Sequence, residues 1–279
     1  MSFRALFWNI ENFEGDDPTR LQRVTDHIQA TDPDILGFSE IRDKAALRNL
    51  LFANLTDYDF GVTDGDQGIE LVAGWRRGMF DQALYTQRRE FKSDNPFLRP
   101  GALLSVRLEG LFYNFLFLHT DSGRTTRDYD NRQDMFEKIW SLNETLGDID
   151  LDTPGETRFI VMGDLNTMGR SARAQVAAIS GAQEVEDLAN DAQNNDMAMT
   201  NKTHPKTWAD VNNETGELLR SSDLDHVLVS KDLPLGDAGG SETHVRGWVD
   251  IDNDPDRRVF VEEISDHASI EIVVTTPGG

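Results

Sequence analysis

Apolar residues fall in short runs separated by polar and turn-forming residues, with the spacing switching between strand-like and helical along the chain. Phe3 to Trp8 is an apolar run that ends in Asn9, and Asp17-Pro18 then supplies an N-cap and a first-turn proline. Leu21, Val24 and Ile28 share one helical face, and Pro33 closes that helix before a second strand, Asp34 to Ile41, that carries Glu40 near its end. Leu47, Leu50, Leu51 and Leu55 predict a helix over Asp43 to Leu55. Strands are predicted for Ile69 to Trp75, Phe80 to Tyr85, Leu103 to Leu108 and Leu111 to His119, the last two joined by a Glu109-Gly110 hairpin turn. Met135, Phe136, Ile139, Trp140 and Leu142 place a helix within Arg127 to Leu146, and Arg158 to Met162 is an apolar strand opening into Gly163-Asp164-Leu165-Asn166.

Beyond that point the pattern predicts a short helix over Ser171 to Ile179 and a long polar loop from Gln183 to Asn213. Strands follow at Leu224 to Val229, His244 to Val249, Val259 to Ile264 and Ala268 to Val274, with Ile251 to Asp256 as a solvated turn. Strands outnumber helices, and no Pro/Ser/Gly-rich linker or repeat divides the chain. One domain over 1–279 is expected, an α/β four-layer sandwich in which two mixed β-sheets pack face to face with helices on the outer faces.

Length and charge narrow the function. A chain of 279 residues buries enough surface to fold without staples, and with no cysteine it has no thiolate zinc site, no cysteine nucleophile and no disulfide scaffold. The formal charge of -23 disfavours loose attachment to nucleic acid or anionic lipid, so a polyanionic substrate needs a metal or local arginines. Only six of the basic residues are lysines, a balance that a saline habitat would also produce. The N-terminus shows no signal-peptide pattern and no window is apolar enough to span a bilayer; a cytoplasmic monomer is the expectation. Asp16-Asp17 and the Asp252 to Asp256 run lack calcium-loop spacing, and His27, His204, His226 and His244 have no partner at a meaningful spacing.

Several polar residues are different in kind. Asn9, Glu40, His119, Asp164 with Asn166, Asp225 and Asp266-His267 are each expected at or just past the C-terminal end of an apolar strand, where loops bind ligands. Their chemistry suits metal-assisted displacement at phosphorus. Mg²⁺ takes one or two carboxylates and leaves positions for water and phosphate oxygens, with Glu40 the first choice of ligand. Asp225 and His267 could form a carboxylate-held imidazole that accepts a proton, and Asn166 and His119 could donate to phosphate oxygens.

The ordered motifs Phe7-Trp8-Asn9-Ile10-Glu11-Asn12, Asp34 to Ile41, Phe117-Leu118-His119, Ile160 to Asn166, Ser222 to His226 and Ile264-Ser265-Asp266-His267 resemble the endonuclease/exonuclease/phosphatase superfamily of DNase I-like fold. Thr207-Trp208 resembles that family's threonine-tryptophan step. The resemblance implies phosphoester hydrolysis with Mg²⁺ or Mn²⁺. By motif position it implies Glu40 as metal ligand with Asn9 beside it and Asp266 contributing, Asp164 orienting or activating water, and Asn166 holding the scissile phosphate. It further implies His267 as base or phosphate contact oriented by Asp225, with His119 facing the phosphate.

Two positions depart from the family. Ser39 stands where glutamine is common, and Asp223 where arginine is common; the lost cation argues for a shorter substrate track or for compensation by Arg220 or Arg124. Trp75, Trp208 and Trp248 either stack on a base or cover the core edge, and Trp208 is the substrate-binding candidate. A nuclease acting on DNA or RNA is the leading expectation. A hydrolase of a small phosphoester (nucleotide, inositol phosphate or phospholipid headgroup) is the alternative, and an inactive binding module a third reading.

Overall fold

The computed structural model describes residues 1–66, 68–92, 95–149 and 157–276. In chain order the elements are β1 (Ser2–Phe13), α1 (Pro18–Thr31), β2 (Ile35–Ile41) and α2 (Lys44–Leu47), the last continuing into a π-helical turn at Arg48–Phe52. Next come β3 (Tyr58–Val62), β4 (Glu70–Arg76), β5 (Gln82–Arg88), β6 (Gly101–Leu108), β7 (Leu111–His119), α3 (Thr126–Ile149) and β8 (Phe159–Asp164). The chain continues with α4 (Gly181–Asn194), β9 (Met197–Met199), β10 (Trp208–Val211), β11 (Leu218–Ser222), β12 (Asp225–Ser230), β13 (Thr243–Arg246), α5 (Asp254–Glu263) and β14 (Ser269–Thr275).

Two mixed six-stranded sheets result, ordered β13-β14-β1-β2-β4-β3 and β5-β6-β7-β8-β12-β9, with β10-β11 as a separate ribbon. The strand period of two explains how they stack. Tyr113, Phe115 and Phe117 of β7, with Ile160 and Met162 of β8, join the cluster built on β1, where Phe3 meets Tyr113 at 5.2 Å and Phe7 meets Phe117 at 6.2 Å between ring centroids. The intervening Leu116, Leu118 and Val161 point the other way, into a second cluster with Met135, Phe136 and Ile139 of α3 and Leu188 of α4. On the opposite side Trp8 packs against His27 of α1 and Phe260 of α5. The expected sandwich with helices on its outer faces is the observed architecture. No helix among the described residues is long and apolar enough to cross a membrane.

Several local expectations fail for identifiable reasons. Ser171 to Ile179 is not a helix: Arg170 and Ile179 exchange backbone hydrogen bonds at 2.8 Å, closing a looped turn. The helix starts later, where the Ser180 hydroxyl caps the Gln183 amide at 3.1 Å. The polar stretch from Gln183 therefore opens inside α4, whose buried face is only Glu184, Leu188 and Ala192. A buried glutamate on that face disguises it. Val259 to Ile264 is helical because Asn253 caps the Asp256 amide and Pro255 occupies the first turn, so the supposed turn at Ile251 to Asp256 is a helix start. Trp248 is core, 3% exposed, and Trp75 lies within β4.

Candidate active site

Strand register brings the motif residues together. His119 and Asp164 are paired across parallel β7 and β8, and Asp164 and Asp225 across antiparallel β8 and β12, so three functional residues stand abreast on one rim. From the other sheet come Asn9, paired with Ser39, and its neighbour Glu40. Bulges aim both of these side chains. The β1–β2 register shifts between Asn9 and Phe13 where Glu11 (φ 39°) and Asn12 (φ 46°) are left-handed, and the β2–β4 register shifts between Phe38 and Ile41 around Glu40 at φ 64°. A left-handed glutamate costs roughly 1–2 kcal/mol, a strain found where a side chain must be held at a set angle.

Not every functional residue follows a strand. Asp225 is the first residue of β12 and Asp266-His267 precede β14, so the expectation that all lie at C-terminal strand ends is corrected. In an antiparallel pair one rim collects the end of one strand and the beginning of the next.

The Asn9 amide is the hub. Its Nδ2 lies 3.0 Å from Asp164 Oδ2, 3.3 Å from Glu40 Oε1 and 3.4 Å from His267 Nε2, while its Oδ1 accepts from the Glu11 amide at 3.0 Å. Asp225 Oδ2 sits 2.8 Å from His267 Nδ1, as the sequence led us to expect. Thr207 explains the threonine of its motif, because its hydroxyl accepts the amides of Leu224 and Asp225 at 3.1 and 2.9 Å and so fixes the start of β12. Ser265 does the same for the last motif, donating to Asn9 O at 2.7 Å and accepting from His267 N at 3.0 Å. Asp266 accepts from Trp208 Nε1 at 2.6 Å. Asn166, left-handed at φ 48°, donates to Thr120 O at 3.2 Å from one side of its amide.

The pKa values of the two histidines are shifted in opposite directions. Burial, with Arg99 and His267 nearby, pushes His119 well below its ordinary pKa, and its Nε2 is 3.5 Å from Asp164 and 3.7 Å from Glu40. His267 is raised well above the ordinary value because the Asp225, Asp164 and Asp266 carboxylates outweigh its burial. Burial also raises Asp164 to about 7, Asp225 and Glu40 adding to it against His267 and the Asn9 hydrogen bond. In this state His267 is an imidazolium and Asp164 is poised near neutrality.

Asp164, Asp225 and His267 place ligand atoms within 4.8 Å of one another, a cluster that could hold a divalent cation only once His267 gives up its proton. The donor set fits a hard ion: carboxylate oxygens dominate, and Asp225 Oδ1 and Asp266 Oδ1 are buried without a hydrogen-bond partner. Glu40 and Asp266, with side chains 19% and 26% exposed, are the carboxylates that open toward solvent.

Sequence reasoning missed three residues. Arg99 lies in the field of Glu40, Asp164 and Asp121, with its Nε buried and without a hydrogen-bond partner. It precedes β6, whose beginning lies beside the end of β7 and His119, the same antiparallel arrangement that conceals Asp225. Lys202 is a cation that no motif singles out; its Nζ pairs with the Asp223 carboxylate and donates to Asp225 O at 3.0 Å. Arg220 is held by Asp210. Arg132, fully buried, binds Glu184 at 2.8 and 2.9 Å and donates to the carbonyls of Gly123 and Gly169, pinning the loops that carry Arg124 and Asn166. Nothing in its spacing separates it from a surface arginine of α3.

Residues 6–267 match the model of the Endonuclease/Exonuclease/phosphatase family, and the chain belongs to that family. Family and site together make it a metal-dependent phosphoester hydrolase. Among solved structures it is similar to TDP2 of D. rerio complexed with single-strand DNA product, at 14% identity and TM-score 0.64, over 99% of each chain. TDP2 from C. elegans superposes with TM-score 0.61 at 17% identity, over 99% of this chain and 76% of that one. A mannosyl-6-phosphatase of Bacteroides thetaiotaomicron VPI-5482 gives TM-score 0.62 at 15% identity, over 98% and 100%. No curated protein matches the sequence. At these identities the structures share the fold, and the fold serves both a DNA strand and a sugar phosphate.

Proposed function

We propose that the protein is a phosphodiesterase that cuts nucleic acid strands, with Mg²⁺ or Mn²⁺ as cofactor held by Glu40, with Asn9 beside it and Asp266 contributing. The observation that carries this reading is the Asn9 amide, which donates to Glu40 of its own sheet and to Asp164 of the other. A bound divalent ion would neutralise the carboxylates and polarise a phosphate oxygen.

The residues divide the remaining work. Asp164, held by the Asn9 amide with His119 and His267 beside it, takes the proton of the attacking water. The His267 imidazolium donates from Nε2 to a non-bridging phosphate oxygen while Asp225 holds Nδ1. Asn166 offers its second amide proton to the same phosphate. His119, neutral, faces Glu40 and Asp164 and donates toward the departing oxygen. Arg99 adds positive charge that no ion pair among the described residues consumes.

A small phosphoester is the second reading, favoured by the charge of -23. Incubation with Mg²⁺ or Mn²⁺ and single-stranded DNA, duplex DNA, RNA, abasic duplex and a bis-aryl phosphodiester separates the two, with Glu40→Ala and His267→Ala as controls. Cleavage of a strand supports the proposal. Turnover of the aryl ester alone would retire it, and no turnover with any metal would point to a binding module.

A further inference from the structure

Next to the catalytic rim lies a cleft of about 620 Å³ whose wall includes Arg124, Lys206, Trp208, Arg220, Thr167 and Asp223. It joins the centre directly: Thr167 follows Asn166, Asp223 lies two residues before Asp225, and Trp208 is bound to Asp266 at 2.6 Å. Three cations therefore face one carboxylate, and that carboxylate is already paired with Lys202. In a chain of charge -23 this wall is net positive.

The cations are not equivalent. Arg220 is engaged by Asp210 and lies 5.9 Å over the Trp208 ring, so it fixes the indole as much as it faces the cleft. Arg124 and Lys206 have no ion-pair partner for their side chains among the described residues. Arg124 is also the shared wall of a second cleft of about 260 Å³, lined by Arg173, Thr125, Thr126 and Ser171 with no carboxylate. Its loop is not free to drift, because Arg132 holds the carbonyl of Gly123 at 2.8 Å. The cleft thus carries an aromatic ring held by Asp266 and Arg220, and its Arg124 is shared with the adjoining hollow.

We propose that this cleft binds the phosphate adjacent to the scissile one on a single-stranded nucleic acid, with Arg124 and Lys206 as its counter-charges and Trp208 as the wall for the intervening base. The proposal rests on the strand-cutting reading above and gives it a minimum substrate of more than one phosphate. Base–aromatic stacking and phosphate neutralisation together are the usual means of holding a single strand. A centre so rich in carboxylates gains most from cations placed one nucleotide away.

The test compares kcat/KM of the full chain, with Mn²⁺, on thymidylate strands of increasing phosphate number and on a bis-aryl phosphodiester. For the wild type, efficiency is expected to rise about tenfold when the second phosphate is present, the effect of roughly one charge contact. In Arg124→Gln/Lys206→Gln that rise is expected to vanish, and the log–log salt dependence to flatten by about 0.7 per lost contact. An unchanged rise in the variant would overturn the proposal. Fluorescence anisotropy of labelled, hydrolysis-resistant phosphorothioate tetrathymidylate separates this failure from that of the strand-cutting reading. Binding that the variant loses, without strand hydrolysis by the wild type, upholds the cleft and defeats the nuclease. Strand hydrolysis with equal binding by both proteins does the reverse, and loss of both defeats both.

Discussion

Replacing Asp225 by asparagine tests how the site sets the charge of His267. The carboxylate is 0% exposed and lies 2.8 Å from His267 Nδ1, and it is the largest cause raising that imidazole above its ordinary pKa. Asparagine keeps the shape and an acceptor oxygen but removes the charge. His119 shows what burial does to an imidazole in this rim without a hydrogen-bonded carboxylate: it is driven well below the ordinary value. Asp225→Asn should therefore turn His267 neutral near pH 7 and convert a charged donor to the phosphate into a weak one. Loss of one such donor reduces kcat by about 10²–10³, or about 3–4 kcal/mol, with little effect on KM. The assay is the pH dependence of kcat and KM on a bis-aryl phosphodiester with Mn²⁺, with thermal melting to verify the fold. The alkaline limb of kcat should move to lower pH in the variant. An alkaline limb in the same place, with kcat within a few-fold of the wild type, would refute the assignment of His267 as a carboxylate-sustained cation.

Other consequences are equally accessible. Glu184→Gln strands the fully buried Arg132 charge, so stability should fall by about 3–5 kcal/mol and the melting temperature by roughly 5–9 °C, measured by calorimetry; a shift under a degree would contradict the pairing. Asp164 is raised to about 7 without metal, so cation binding should expel protons and tighten as pH rises through neutrality. Calorimetric titration in buffers of different ionisation enthalpy reads that release, and a buffer-independent heat would deny it. His27 is pushed down to about 4 by burial, with Arg246 adding to it, so its neutral form stabilises the fold above the unfolded value near 6.5. That contribution, of the order of 3 kcal/mol, is lost as pH falls from about 6.5 toward 4. His27→Gln should flatten the acid limb of a stability–pH curve, and an unaltered limb would show that the imidazole titrates normally.

The sequence made the rim legible and its support obscure. Asn9, Glu40, Asp164 and His119 follow apolar runs, so strand pattern and chemical type point to them together, and the register then stands His119, Asp164 and Asp225 side by side. Asp225, Asp266 and His267 were found by motif although the strand-end rule misplaces them, because antiparallel neighbours bring strand beginnings to the same edge. Arg99 escaped for that reason. Arg132, Glu184 and Lys202 escaped for another: a buried charge has no local pattern, since its partner lies elsewhere in the chain, as Glu184 does for Arg132 and Asp223 for Lys202. The same blindness hid α4, where the charged residue that looks solvated is the one facing inward.

The position of the cation tests the account most directly. Crystals of the protein soaked with Mn²⁺ would locate it by anomalous scattering. The account predicts one strong peak within bonding distance of the Glu40 carboxylate, on the side facing Asn9 and Asp266. A peak held by Asp164, Asp225 and His267 with Glu40 turned away would contradict it.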